Sequence, residues 1–258
     1  MTITGNIISF NEEKNIEKCI HSLSLVCDEI IVVDSYSTDR TVEIASKLGA
    51  KVIMQKYLGD GPQKNVASKF SKNKWLLSID ADETLDSKLV ESIQLLDLVN
   101  TNYSSFSFNR KNYINNHWIK GCGWYPNKLI RLYNHKEAAY EESEVHAKVL
   151  SNKNLHIKGN LIHRTSDSYS HMFDKINRYS TRSANVAYIN DKKVSYLSPL
   201  IHCIWAFIFR YFFKKGFMDG VDGFVISISI SLGSFLKYVK ILEHQRKRTN
   251  KKELGLWD

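Results

Sequence analysis

Two carboxylates one residue apart, Asp80 and Asp82, stand with Glu83 directly behind the apolar run Lys74-Trp75-Leu76-Leu77-Ser78-Ile79. A strand that ends this way can aim both carboxylates at a single divalent cation, and an oxygen donor set suits Mg²⁺ or Mn²⁺. Such cations take one or two carboxylates from the protein and share the rest of their coordination with phosphates. An acidic pair alone is a common loop feature, so its weight depends on its surroundings. Two other strand-like runs end in polar residues: the short β-type run 3–8 is followed by Ser9, Asn11 and Glu13, and the β-branched run 29–33 by Asp34. Asp34 can accept charge-assisted hydrogen bonds from a ligand, or it can cap the polar turn 35–39 behind it. Lys64 can pair with a phosphate or stay solvated. Glu141, Glu142 and Glu144 precede Val145-His146, and Trp124, Tyr125 and Arg131 lie in and after the glycine-flanked loop 121–126.

The elements that position these residues alternate regularly over the first hundred positions. Strands are expected at 3–9, 29–34, 51–55 and 75–80. Helices are expected between them, one carrying Ile16, Ile20, Leu23 and Val26, one carrying Val42, Ile44, Ala45 and Leu48 up to Gly49, and one over 61–70. This order predicts an α/β fold with right-handed crossovers and a mostly parallel sheet covered by helices on both faces. In such sheets ligands bind beyond the carboxyl ends of the strands, where Ser9, Asp34 and Asp80 all fall. A helix is expected over 86–99, then strands at 104–114, 129–133 and 145–150. From 167 onward the pattern is helical, which places a boundary near 164–168.

The composition, 43% hydrophobic and 24% charged over 258 residues, excludes wholesale disorder. Cys19, Cys27, Cys122 and Cys203 match neither a zinc spacing nor a disulfide framework and read as core fillers. The start Met1-Thr2-Ile3 lacks the pattern of a secretory signal, so the cytoplasm is the expected compartment. The net charge of +9 is uneven: Lys237, Lys240, Arg246, Lys247, Arg248, Lys251 and Lys252 face Glu243 alone in the tail. That asymmetry points to a polyanionic surface or to a solvated terminus. Nucleic acid is disfavoured, because the charge sits beside long aromatic-aliphatic helices and follows no recognition motif. The apolar stretches 197–213 and 224–236 are interrupted by His202 and Arg210 and limited by Asp219 and Asp222. They suit helices lying in the headgroup layer of an anionic membrane, or packed on the sheet domain or a second copy of the chain.

Three segments, Ile8-Ser9-Phe10-Asn11-Glu12-Glu13, 33–41 (Val-Asp-Ser-Tyr-Ser-Thr-Asp-Arg-Thr) and Ser78-Ile79-Asp80-Ala81-Asp82-Glu83, resemble the signatures of family 2 glycosyltransferases with the GT-A fold. Gly123-Trp124-Tyr125-Pro126, Arg131-Leu132-Tyr133, Val145-His146 and the stretch 215–220 narrow the resemblance to lipopolysaccharide core glucosyltransferases that add β-1,4-glucose to heptose. The resemblance implies a UDP-sugar donor, inversion at the anomeric carbon, a lipid-linked oligosaccharide acceptor and a peripheral place on the inner face of the cell membrane. Ser9, Asn11, Glu13, Asp34 and Lys64 would serve the donor, with Asp80 at the ribose or a cation-bound water. Asp82 would bind the Mg²⁺ or Mn²⁺, with His146 as a further donor or metal contact, or a packed core histidine. The inverting base would be Glu142, with Glu144 next. Related sequences often place Glu after Val-His, where this chain has Ala147. Trp124 and Tyr125 would stack on acceptor sugar and Arg131 would fork to an acceptor phosphate. The implied division is a transferase domain over 1–165 (donor half 1–100, acceptor half 101–165) and a basic amphipathic helical region over 166–258. The alternatives are an α/β nucleotide- or phosphate-binding protein without sugar transfer, which paired carboxylates would serve equally, and a glycosyltransferase for another cell-surface glycan.

Overall fold

Strand β1 (Ile3–Ser9) is buried along almost its whole length, polar Thr4 and Asn6 included, and it pairs in parallel with β2 (Glu29–Asp34), whose β-branched run is continuous. Between them α1 (Ile16–Ser24) buries Ile16, Cys19, Ile20 and Leu23, a stripe at helical spacing that faces the sheet. Helix α2 (Thr41–Lys47) leads to β3 (Lys51–Met54), parallel to β2. The short helix α3 (Asp60–Asn65), extended by a 3₁₀ turn over Val66–Lys69, leads to β4 (Trp75–Asp80), parallel to β1 on its other side. This computed structural model describes residues 3–114, 116–143, 147–166 and 168–253, apart from the side chains of 166, 171 and 249–253.

The chain then turns sharply into β5 (Glu83–Leu85) and α4 (Ser87–Gln94), whose N-cap Asp86 accepts the Leu89 N–H at 2.8 Å. There follow β6 (Ser105–Ile114), β7 (His117–Trp118), β8 (Lys128–Asn134), β9 (Ala139–Tyr140), β10 (Val149–Leu150) and β11 (Asn154–Ser166). The main sheet runs β3-β2-β1-β4-β8-β6-β11-β5, with β7 on the end of β6, while β9 and β10 form a separate antiparallel pair. The half from β3 to β4 is parallel, and beyond β4 the pairs β4–β8, β8–β6 and β11–β5 are antiparallel. Ile3, Ile7, Leu77, Ile79, Phe106, Phe108 and Leu132 from the central strands pack with the α1 stripe into the main core.

Two compact units result: Met1–Asn112 with Pro126–Thr165, and Tyr113–Tyr125 with Ser166–Asp258. The second is built on α5 (Tyr169–Ile189), α6 (Ser198–Ile208) and α7 (Gly220–Glu253). Ala184, Ala187, Tyr238 and Ile241 join α5 to α7. Three serines of α7 are buried, Ser227 and Ser231 one turn apart and Ser229 on another side of the helix, and Ser231 Oγ donates to the Cys203 carbonyl of α6 at 2.8 Å. The His202 ring stacks on Tyr238 at 4.0 Å. Helix α6 continues through a π-helical turn, Phe209–Phe213, then reverses at Lys215 (φ 54°). The elbow closes because Gly223 has no side chain: a Cβ there would lie 1.8 Å from the Gly216 carbonyl oxygen.

Several expectations shift. The helix expected over 86–99 stops at Gln94, and of the strand expected over 145–150 only Val149–Leu150 is strand among the described residues. Strands β5 and β11 have no counterpart in the sequence reading. The segment 113–125, expected in the first domain, belongs to the helical unit. All four cysteines are free thiols, and burial pushes the Cys19 thiol well up. Among the described residues one stretch, Gly216–Arg248, is long and apolar enough by length and composition to cross a bilayer.

Candidate active site

The register of the parallel strands sets Ser9 opposite Asp34 and Ile8 opposite Asp80, so the three polar strand ends lie side by side at the carboxyl edge. The first two ends are laced together. Asp34 is fully buried; its oxygens accept Ser9 Oγ (2.7 Å), Ser37 Oγ (2.6 Å) and the Ser37 N–H (2.7 Å). Asn11, at φ 56°, accepts the Thr38 N–H at 2.8 Å and donates its own N–H to Ser37 Oγ at 2.8 Å. Glu13 accepts the Arg40 N–H at 3.2 Å, and Asp39 accepts the Glu13 N–H at 3.1 Å. The bonds seen for Asp34 are those of a residue that organises the turn. Phe10 and Tyr36 stand exposed at the tips of the same two loops.

Around Asp80 the chain gathers three carboxylates and three cations. Lys64 Nζ lies 2.9 Å from Asp60 and 3.0 Å from Asp80, Arg131 reaches Asp80 at 3.1 Å and Glu83 at 3.2 Å, and Arg110 meets Glu83 at 3.0 Å. Lys64 is 4% exposed, not a solvated lysine, and Glu83 is fully buried. Burial alone would raise the Asp80 carboxyl, but the charges of Lys64 and Arg131 outweigh it and hold that carboxyl well below the usual range. Burial alone would lower the Lys64 ammonium; the Asp80 carboxylate reverses this and holds it above its ordinary value. Arg131, expected on the acceptor side, is buried beside Asp80, with Tyr140 Oη accepting its other nitrogen at 3.2 Å. Its Nη2 is shared between two carboxylates of the chain itself.

Asp82 is the carboxylate of this turn that no lysine or arginine of the cluster meets. Its partner is His163 on β11, with Nε2 3.2 Å from Asp82 Oδ2. The pairing of β5 with β11, which sets His163 opposite Glu83, delivers that ring to the turn. On its other side His163 Nδ1 lies 2.7 Å from Oδ1 of the buried Asn112. Thr165 Oγ1 lies 3.2 Å from the same Nδ1. A ring protonated at Nε2 donates directly to Asp82, whereas a ring protonated only at Nδ1 turns its Nε2 lone pair toward the carboxylate, and two acceptors 3.2 Å apart then call for a cation between them. A divalent cation fits: one carboxylate and one imidazole, the imidazole fixed by an outer hydrogen bond, leave the remaining positions to phosphate and water oxygens. Among the described residues no group of three or more His, Cys, Asp or Glu side chains is arranged to hold a metal without such help.

Helix α3 and the segment after β9 form one wall. Asn65 and Tyr140 exchange hydrogen bonds of 2.9 and 3.0 Å, Asp60 accepts the Ala147 N–H at 3.1 Å, and the Gly61 N–H donates to the Ser143 carbonyl at 3.0 Å. Glu141 accepts the Lys148 N–H, which commits it to structure, whereas Glu142 is exposed. Glu144 and His146 lie outside the described residues. In the second unit Trp124 packs on the cluster of Ile114, Ile119, Cys122 and Ile226, and Tyr125 meets the Trp118 ring edge-on at 5.2 Å. The backbone there is clamped by the Asp219 carboxylate, which accepts the Lys120 and Gly121 N–H groups at 3.0 and 2.6 Å.

Among the members of this constellation, His163 and Arg110 had no role in the sequence reading. The signal for His163 was a period-two pattern, Ile157, Leu161 and His163 on one side of a strand, interrupted at Gly159 and diluted by polar residues.

The glycosyl transferase family 2 model matches residues 6–152. A glycosyltransferase of Rickettsia conorii, uncharacterised by its name, is 35% identical over 260 residues, taking in 96% of this chain and 92% of its own. The lipopolysaccharide core biosynthesis glycosyltransferase LpsC of Rhizobium meliloti is 28% identical over 257 residues, covering 94% of this chain and 93% of its own. Among solved structures, glucosyl-3-phosphoglycerate synthase of Mycobacterium tuberculosis in complex with Mn²⁺, UDP and glucosyl-3-phosphoglycerate is 26% identical over 44% of each chain, with a TM-score of 0.34. This chain matches less than half of that synthase. TarS of S. aureus is 15% identical over 88% of this chain and 55% of its own, with a TM-score of 0.46.

Proposed function

Because the chain belongs to glycosyl transferase family 2, we propose that it moves a hexose from a UDP-sugar to a lipopolysaccharide core or related lipid-linked saccharide, with inversion at the anomeric carbon. Its sheet, parallel from β3 to β4 and antiparallel beyond, is the GT-A arrangement of that family. The observation that carries the reading is the Asp82–His163 pair, 3.2 Å apart, beside a cluster in which the neighbouring carboxylates are already neutralised by Lys64, Arg110 and Arg131. Asp82 and His163 would hold Mg²⁺ or Mn²⁺, which when bound neutralises charge building on the departing diphosphate. The loops of Ser9, Asn11, Glu13 and Asp34 would frame the nucleoside. Asp80, partly exposed and held ionised, would accept a ribose hydroxyl while Lys64 and Arg131 fix its direction.

Inversion asks for a base that takes the acceptor hydroxyl proton on the face opposite the diphosphate. Glu142, an exposed residue, is the candidate, with Glu144 as the second choice. Trp124 and Tyr125 would contact acceptor sugar. The lipopolysaccharide acceptor is supported by the name and the near full-length match of LpsC, and glucose is the sugar the subfamily resemblance favours. The test is UDP release from UDP-glucose, UDP-galactose and UDP-N-acetylglucosamine, with and without Mn²⁺, using heptose-terminated core lipopolysaccharide as acceptor. Acceptor-dependent release with one donor that chelator abolishes supports the reading, whereas no release with any donor, or release indifferent to chelator, defeats the donor or cation assignment respectively.

A further inference from the structure

We propose that the exposed apolar face of α6 and α7 is a docking surface for an anionic lipid bilayer, with α6 lying in the headgroup layer. Leu200, Ile201, Ile204, Trp205, Phe212 and Phe213 each keep more than half of their surface exposed, and they recur at helical spacing along α6 and its π-helical extension. Helix α7 adds a second stripe, Val221, Phe224, Ile228, Leu232 and Val239, also exposed and also on one helical face. Soluble single chains do not usually leave an apolar surface of this extent facing water.

Charge selects the occupant. Residues 192–218 contain five basic residues, Lys192, Lys193, Arg210, Lys214 and Lys215, and no acidic one. Arg210 is used inside the unit, donating to the Cys122 carbonyl at 2.9 Å. Lys193, Lys214 and Lys215 are exposed at the two ends of the α6 stripe, with Lys214 Nζ 5.4 Å from the Phe209 ring centroid. Aromatic and branched side chains on one face, with lysines at its margins, are the composition of helices that lie in the interface of anionic membranes. A symmetric dimer through the same face would set lysine margins of one sign against each other, since a two-fold contact meets its own patch. Crossing the membrane is a poorer use of α7, because Ile226, Ser227, Ser229, Ser231, Tyr238 and Ile241 are buried within the unit and Asp222 is held by His117 (2.5 Å) and Tyr169.

Sedimentation of the full chain with vesicles, in the absence of nucleotide sugar, tests this separately from any transfer activity. The vesicles are phosphatidylcholine alone and phosphatidylcholine with phosphatidylglycerol. Binding is expected only to the anionic vesicles, and the double variant Lys214→Glu/Lys215→Glu should bind roughly 10-fold or more weakly, each lysine contributing through surface attraction. Brominated acyl chains should quench tryptophan emission of the wild type, and Trp205→Phe should lose most of that quenching while still sedimenting. UDP binding, measured by calorimetry, should be unchanged in both variants, which also certifies their fold. Equal binding to neutral vesicles, no effect of charge reversal, or a concentration-dependent dimer that shields Trp205 from a soluble quencher would each overturn the proposal.

Discussion

Asp80 and Asp82 are separated by a single alanine, yet the chain treats them oppositely, one pinned between Lys64 and Arg131 and the other left to a histidine. That difference predicts different outcomes on mutation. Asp82→Ala and His163→Ala should each remove the Mn²⁺ dependence of UDP binding in calorimetry while leaving the melting temperature near that of the wild type. Unchanged Mn²⁺-dependent binding in either would refute the pair as a cation site. Asn112→Ala, which reaches the cation through the orientation of His163, should weaken Mn²⁺ affinity on the order of 10- to 100-fold, with affinity for the metal-free nucleotide retained. Arg131→Met should instead act on stability, since it leaves Glu83 buried with Arg110 as its remaining cation. The expected loss is near the lower end of the roughly 3–5 kcal/mol seen when one partner of a buried pair is deleted, read from urea unfolding. The Asp80 carboxyl has a folded-state pKa below its unfolded value of 3.8. Its contribution is therefore complete above about pH 4 and is lost as the pH falls further toward the depressed value. Urea midpoints taken below pH 4 should fall more steeply for the wild type than for Asp80→Asn. The carboxylates were legible in the sequence because they follow an apolar strand. The place of Arg131 beside Asp80, and the presence of His163, were not, because what brings them in is antiparallel pairing across long separations, which local spacing does not encode.

Among the elements, β11 is the one whose omission cost the most. Its polar side chains and central Gly159 hide a strand, and a Cβ at Gly159 (φ 106°) would strike Leu89 backbone at 2.4 Å. The glycine that breaks the pattern is thus what lets the strand lie against α4. The parallel half was readable almost residue for residue, since buried β-branched runs and amphipathic α1 leave few other solutions: the expected strands 3–9, 29–34 and 75–80 are those observed. Helix α3 tests the wall of the site. A Cβ on Gly61 would sit 1.9 Å from the Glu141 carbonyl oxygen, so Gly61→Ala must push α3 and the 141–143 loop apart. The expected cost is about 1–3 kcal/mol, with faster amide exchange at Gly61, Tyr140 and Ala147, whose N–H groups make the bonds between them. Wild-type exchange rates at those three amides in the variant would show that the two segments are not held by this approach.

At the scale of the molecule, a single boundary near 165 was read from the change to helical periodicity, but one compact unit takes its residues from two places in the chain. The segment 113–125 carries no periodicity of its own; what places it is the Asp219 carboxylate on the Lys120 and Gly121 amides and Arg210 on the Cys122 carbonyl, both from far along the sequence. A fragment ending at 165 would keep the segment and lose those partners. Limited proteolysis should therefore cut within 113–125 in the fragment and spare it in the full chain, and equal protection in both would mean that the clamp is dispensable. The same closure restricts how this region can be inherited. One genetic crossover near position 165 would join a helical unit to a loop that evolved against a different Asp219 and Arg210, so a working hybrid between relatives has to exchange 113–125 together with the C-terminal segment. Substitutions in these two stretches are expected to accumulate in step, as the two halves of a single inherited part.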